Sequence, residues 1–165
     1  MNVIKEYEKL TQNIEYKKFM RNNKEYYLVH ILVPENEQEL EIGYYNPRTD
    51  KITIFKTNPI TKQKEEDIFK EGKTIQQLEI KKIKINYEEA TQKTNEILKK
   101  EHSAELVNKK IIILQHIMEP VWNMTFICKS MNIINIRINA ETGQIIRNNK
   151  ASLLDMAGMM KGNKQ

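Results

Sequence analysis

Between Trp122 and Ile138 apolar and polar residues alternate with a period of two, a pattern that admits little except an antiparallel hairpin burying one face. Trp122, Met124, Phe126 and Cys128 interleave with Asn123, Thr125 and Ile127, and after a turn at 129–132, Ile134, Ile136 and Ile138 oppose Asn135 and Arg137. Asn139-Ala-Glu-Thr-Gly143 reads as a tight turn, with Gly143 at a positive φ, and 144–147 as a short last strand. Upstream, 109–117 is strand-like and Glu119-Pro120 reads as a turn. Asn86 followed by Glu89 forms a capping-box start for a helix reaching about His102, with Ala90, Thr94, Ile97 and Leu98 as its buried stripe.

The first third repeats this order. Val3, Tyr7, Leu10 and Ile14 lie at helical spacing and predict one helix over 3–20. Strands follow at 26–33, 39–44 and 51–55, with turns at Pro34-Glu-Asn-Glu37 and Asn46-Pro-Arg-Thr-Asp50. Residues 56–84 read as a connection. Pro59 and the charged run Lys62 to Asp67 suggest a loop, 66–70 a short helix, and Leu78, Ile80, Ile83 and Ile85 an extended apolar stretch needing cover. The resulting expectation is an α+β fold of two helix-plus-antiparallel-meander units: 1–58, a connection at 59–85, 86–150, and a tail at 151–165. Each unit is small, so packing their apolar sheet faces together is the expected way to bury a core. The matched turns Asn46–Ile52 and Asn139–Ile145, set in the same order of elements, point to an internal duplication.

The second unit resembles a PepSY domain. The matching pieces are Tyr87-Glu-Glu-Ala90, the strand Trp122-Asn-Met-Thr-Phe126, and Asn139-Ala-Glu-Thr-Gly-Gln-Ile145, with Asn139 where the family usually carries Asp. The resemblance covers about 85–147, and a degenerate copy over 3–55 would make the chain tandem PepSY-like. The stretch from Asp67-Ile-Phe69 through Leu78 to Ile83-Lys-Ile85 is similar to the lead-in of prokaryotic relatives, archaeal ones among them. The resemblance implies a non-catalytic module that contacts or restrains other proteins. Its signature residues are structural, so it assigns no functional site.

Composition narrows the function further. In 165 residues there is one cysteine, Cys128, which cannot form an internal disulfide and suits a reducing compartment. The opening Met1-Asn-Val-Ile-Lys-Glu-Tyr-Glu8 carries charge where a secretory signal needs an apolar core. The longest apolar block, 111–114, is far short of a membrane span. The expected location is the cytoplasm. A net charge of +5 invites nucleic acid as an alternative partner, yet only Arg21, Arg48, Arg137 and Arg147 supply the planar fork that best reads phosphates and bases.

No catalytic residue, cofactor site or metal site is assigned. His30, His102 and His116 have no second ligand at metal spacing, and His102 suits a helix C-terminus. Cys128 shares the apolar face of its strand and reads as a small hydrophobe. Glu65, Glu66 and Asp67 lie among lysines and read as solvated surface, and Asn123-Met-Thr125 is a glycosylation sequon inside a strand. Two features suggest contacts with an unidentified protein partner. In the tyrosine set Tyr26, Tyr27, Tyr44 and Tyr45, adjacent rings face opposite ways, so at least some lie on the outer face, with Tyr27 and Tyr45 taken as candidate contacts. In the tail, Leu153, Leu154, Met156, Met159 and Met160 form an apolar segment that either folds back as a capping helix or docks into a partner. The function expected from the sequence is a non-enzymatic protein-binding or regulatory module, with a basic nucleic-acid-associated protein as the alternative.

Overall fold

The computed structural model describes residues 1–68 and 74–162, the side chains of 160–162 excepted. Helices α1 (Val3–Gln12) and α2 (Ile14–Asn22) precede strands β1 (Tyr27–Val33), β2 (Glu41–Asn46) and β3 (Lys51–Lys56). Two short strands, β4 (Thr61–Lys62) and β5 (Glu66–Asp67), and a 3-10 turn (Ile80–Lys82) lead to α3 (Tyr87–Glu101). Then come β6 (Val107–Ile117), β7 (Glu119–Cys128), β8 (Asn132–Asn139), β9 (Ile145–Ser152) and α4 (Leu153–Gly162). The fold is α+β: four helices on an open antiparallel sheet of nine strands in the order β4-β3-β2-β1-β6-β7-β8-β9, with β5 also pairing β3.

The expected face-to-face packing of two sheets is not what forms. β1 and β6 pair edge to edge, from His30 opposite Gln115 to Val33 opposite Ile112, and make one sheet. Joining the edges satisfies backbone N–H and C=O groups that would otherwise stay unpaired, while helices cover the apolar face. All three leading helices lie on that face, since Val3, Leu10, Tyr16, Tyr87, Ala90 and Ile97 share one core with Ile31, Ile42, Phe55, Leu114, Trp122 and Ile136.

Several boundaries differ from expectation. The helix expected over 3–20 is broken at Asn13, whose extended backbone (φ −65°, ψ 139°) ends α1 and whose Oδ1 accepts Glu15 N and Tyr16 N to start α2. The interruption leaves Ile14 81 % exposed, although its spacing had put it on the buried stripe. Glu66–Asp67 is strand rather than helix, paired with Ile52 and Lys51, and residues 69–70 of that expected helix lie outside the described ones. Glu65, Glu66 and Asp67 are exposed, as expected, and the Glu65 carboxylate accepts the Tyr26 hydroxyl. Glu119-Pro120 opens β7 instead of turning; the reversal is made by Met118 at φ 61°. The last strand runs on to Ser152, well past Arg147.

Other local expectations are met. The capping box forms at α3, with Glu89 N donating to Asn86 Oδ1 at 2.8 Å and Asn86 N to Glu89 Oε2 at 2.9 Å. Asp50 and Gly143 both adopt positive φ, 56° and 76°. The apolar stretch 78–85 finds its cover: Leu78 N donates to Leu28 O, and the Trp122 indole donates to Ile85 O, each at 2.8 Å.

Candidate functional site

Alternation puts the bulky side chains of β6–β9 on the helix-covered face and a different set on the other. Cross-strand register fixes the rows of this outer face. Ile113, Asn123, Arg137 and Arg147 lie opposite one another in sequence across β6, β7, β8 and β9. The next row is Ile111, Thr125, Asn135 and Asn149, and beyond it Ile127, Ile133 and Ala151. The first row continues through the seam as Leu32, Glu41 and Lys56 on β1, β2 and β3. Residues of this face on β6, β7 and β8 are mostly half-buried, the exposure of a sheet surface with no layer laid over it.

The polar side chains here are bonded to one another. Asn135 Nδ2 donates to Asn123 Oδ1 at 2.9 Å and to Thr125 Oγ1 at 3.0 Å, and Arg137 Nε donates to the same Asn123 oxygen at 3.3 Å. Asn135 Oδ1 is buried and finds no hydrogen-bond partner. Burial, and then the charge of Arg147, hold Arg137 below the usual arginine range. Among the described residues no carboxylate forms an ion pair with either arginine.

The outer face of β1–β3 is different because the chain covers it. Ile68 and Ile75 pack on Val29, Tyr45 and Ile52, and the Tyr27 hydroxyl donates to Ile75 O at 2.8 Å. Tyr27 and Tyr45 therefore face outward, as alternation requires, but Tyr45 is 3 % exposed and stacks edge-on against Tyr27. Tyr26 and Tyr44 lie in the main core.

The tail forms α4, and it does not fold back as a cap: none of its described side chains enters either apolar cluster. Leu153 is half-buried, with its N–H on Met131 O at 2.9 Å, whereas Leu154, Met156 and Met159 are exposed. The Met160 side chain lies outside the described residues.

A cleft of about 490 Å³ between α1, α2, β1 and the 77–81 segment is lined by Tyr7, Tyr16, Tyr26, Tyr44 and Leu78. Its phenols are poor proton-transfer groups, since burial pushes those of Tyr16 and Tyr44 upward and their hydroxyls bond each other at 2.7 Å. Cys128 is buried, and burial raises its thiol too. Among the described residues no three His, Cys, Asp or Glu side chains gather as metal ligands. The Asn–Arg rows of the outer face are, among the described residues, a grouping of polar side chains whose two arginines have no carboxylate partner. The sequence reading had Asn135 and Arg137 facing outward but did not join them to Asn123 and Arg147. The available signal was that outward positions on neighbouring strands carry Asn, Thr and Arg in a chain whose cations are mostly Lys.

No protein-family model matches the chain, and no curated protein matches it in sequence. Its structure is similar to the crystal structure of a putative lipoprotein from Clostridium difficile 630, with a TM-score of 0.55 and 14 % identity. The match covers 83 % of this chain and 90 % of that one, and at that identity it is a likeness of fold. Among the described residues no helix is long and apolar enough to cross a membrane.

Proposed function

We propose that this protein is a non-enzymatic protein-binding module whose partner docks on the uncovered face of β6–β9, with β9 as an available edge. The supporting observation is the contrast between the two halves of the sheet. The outer face of β1–β3 is packed beneath Ile68 and Ile75, while among the described residues that of β6–β9 carries no such layer. Beside it, β9 pairs only with β8 among the described residues, so its second edge can add a strand from another chain.

We also infer that the two halves are PepSY-like units related by duplication. Equivalent turns support this. Asp50 N bonds Asn46 O at 3.0 Å and Gly143 N bonds Asn139 O at 2.9 Å, while the Asn46 and Asn139 side chains each accept backbone N–H groups inside their own turn. The order β3-β2-β1-β6-β7-β8 also reads alike outward from the seam. For location we retain the cytoplasm, on the strength of the lone, buried Cys128. The relative named as a lipoprotein makes the cell envelope the competing site, and fractionation of the native host would separate the two.

The test is capture of partners from nuclease-treated host lysate with three baits: the native chain, Thr125→Arg on the open face, and Lys99→Glu on exposed α3. One stoichiometric protein held by the native and Lys99→Glu baits and lost by Thr125→Arg is the expected result. Retention by Thr125→Arg would remove this face from the reading. Recovery of nucleic acid alone before nuclease, and nothing after it, would replace the reading with the nucleic-acid alternative.

A further inference from the structure

We propose that Arg137 and Arg147 bind carboxylates on an extended segment of a partner protein laid along the outer face of β7–β9. The inference rests on the protein-binding reading above and names the chemistry of the partner.

It begins with a local conflict. Arg137 and Arg147 are direct cross-strand partners on β8 and β9, and like charges placed opposite each other destabilise a sheet. By contrast, Lys56 is answered by Glu41 at 3.0 Å and Lys110 by Glu37 at 2.9 Å. No described carboxylate answers these two arginines. Instead Arg137 is held toward β7 by its Nε bond to Asn123, which leaves its terminal N–H groups without a protein acceptor among the described residues. Two planar forks, one steadied by an amide and the other on the edge strand, match carboxylate groups in a way that scattered lysines do not.

The surroundings favour a polypeptide over a polynucleotide. Bases bind open sheets by stacking on aromatic rings, and this face presents none. Trp122 and Phe126 point into the core, and Tyr27 and Tyr45 lie beneath Ile68 and Ile75. Branched aliphatic residues, Ile111, Ile113, Ile127 and Ile133, border the amide rows and suit the side chains of an extended peptide. Beside these rows, β9 offers backbone groups along the edge that no described strand pairs.

The test uses the full chain with arginine Nε–H resonances as the readout. The probes are a short peptide alternating Val and Glu, its Val/Gln counterpart, and a single-stranded oligonucleotide of equal charge. The Glu peptide should move the Arg137 and Arg147 signals, and the Gln peptide should not. Arg147→Gln should weaken the Glu peptide roughly tenfold, and the double Arg137→Gln/Arg147→Gln variant should no longer tell the two peptides apart. Thermal unfolding of these variants should be no worse than native, since a like-charge pair has been removed, so a failure to fold is detected separately. Equal responses to both peptides, or none to either, would overturn the proposal, as would tighter binding of the oligonucleotide. The captured partner distinguishes the two levels of inference. If it binds the double arginine variant as well as the native chain, the carboxylate proposal fails and the module reading stands. If no partner is captured at all, the module reading itself fails.

Discussion

At the scale of single residues the chain accepts local strain at its reversals. Met118 joins β6 to β7 at φ 61° with 91 % of its surface exposed, so an unbranched but Cβ-bearing residue occupies left-handed backbone with no packing to offset it. Met118→Gly removes that penalty, and part of the gain is returned through the larger unfolded-state freedom of glycine. The expected outcome is a stability increase of about 0.5–1 kcal/mol, read as a higher urea midpoint with an unchanged slope. His30 shows a different constraint. Its ring lies over Gly43, where any Cβ would strike it, so glycine is required by the close approach rather than by a turn. Burial lowers the His30 pKa below its ordinary 6.5, against a smaller opposing effect of Glu41. Above that ordinary value the ring is neutral in both folded and unfolded chains. As pH falls below it, the unfolded chain takes up a proton that the folded protein resists, and stability is lost until the folded pKa is passed. Urea midpoints measured from pH 7.5 to about pH 5 should therefore fall in the native protein, and this slope should be shallower in His30→Gln. Identical slopes would show that the ring does not titrate differently on folding.

At the scale of elements, helices and strands differed in how plainly the chain announced them. The start of α3 was legible because Asn86 and Glu89 satisfy each other's backbone groups locally, whatever the tertiary context. The strands β7 and β8 were legible because a period of two has one structural solution. The break between α1 and α2 was not, since Ile14 continues the apolar spacing and only Asn13, a helix starter, contradicts it. The end of β9 was missed for the opposite reason: Arg147, Asn148, Asn149 and Lys150 look like a solvated tail, and only pairing with β8, Arg147 opposite Arg137 to Ser152 opposite Asn132, makes them a strand. That pairing also shows where the chain can be cut. Removing 153–165 takes away α4, whose described side chains lie outside both apolar clusters. The shortened chain should match native stability to within about 0.5 kcal/mol, whereas ending at Arg147 would remove most of the edge strand β9 and lower stability clearly. A large loss from the shorter cut would mean that α4 packs on the protein after all.

At the scale of the whole molecule the decisive contact is the seam between β1 and β6. Ile31 opposite Leu114 carries the core from one half to the other, and both are fully buried. Glu37 reinforces the junction: from the turn after β1 it accepts the Tyr87 hydroxyl at 2.6 Å and Lys110 Nζ at 2.9 Å, on α3 and β6. With the core continuous, the halves should unfold together. Trp122 reports the second half by fluorescence, and the tyrosine-rich first half is followed by near-ultraviolet circular dichroism. The two urea transitions should coincide. Leu114→Ala should shift both together by about 2–5 kcal/mol, the usual cost of deleting a buried leucine side chain. Separated transitions, or a shift confined to one probe, would show two independent units joined by a weak edge.

The sequence by itself determined the elements with a local cause: the capped α3, the alternating strands, and the tight turns at Asn46–Asp50 and Asn139–Gly143. It also determined which side chains of each strand share a face, because that follows from backbone geometry alone. Only the tertiary structure decided how the halves meet, since pairing β1 with β6 joins residues about eighty positions apart and leaves no periodic mark. Equally non-local packing covered Tyr27 and Tyr45 with Ile68 and Ile75, and among the described residues no such layer lies on β6–β9. The β8–β9 pairing placed Arg137 opposite Arg147. Whether two like charges on separate strands become neighbours depends on register, and register is set by the packing of the opposite, buried face.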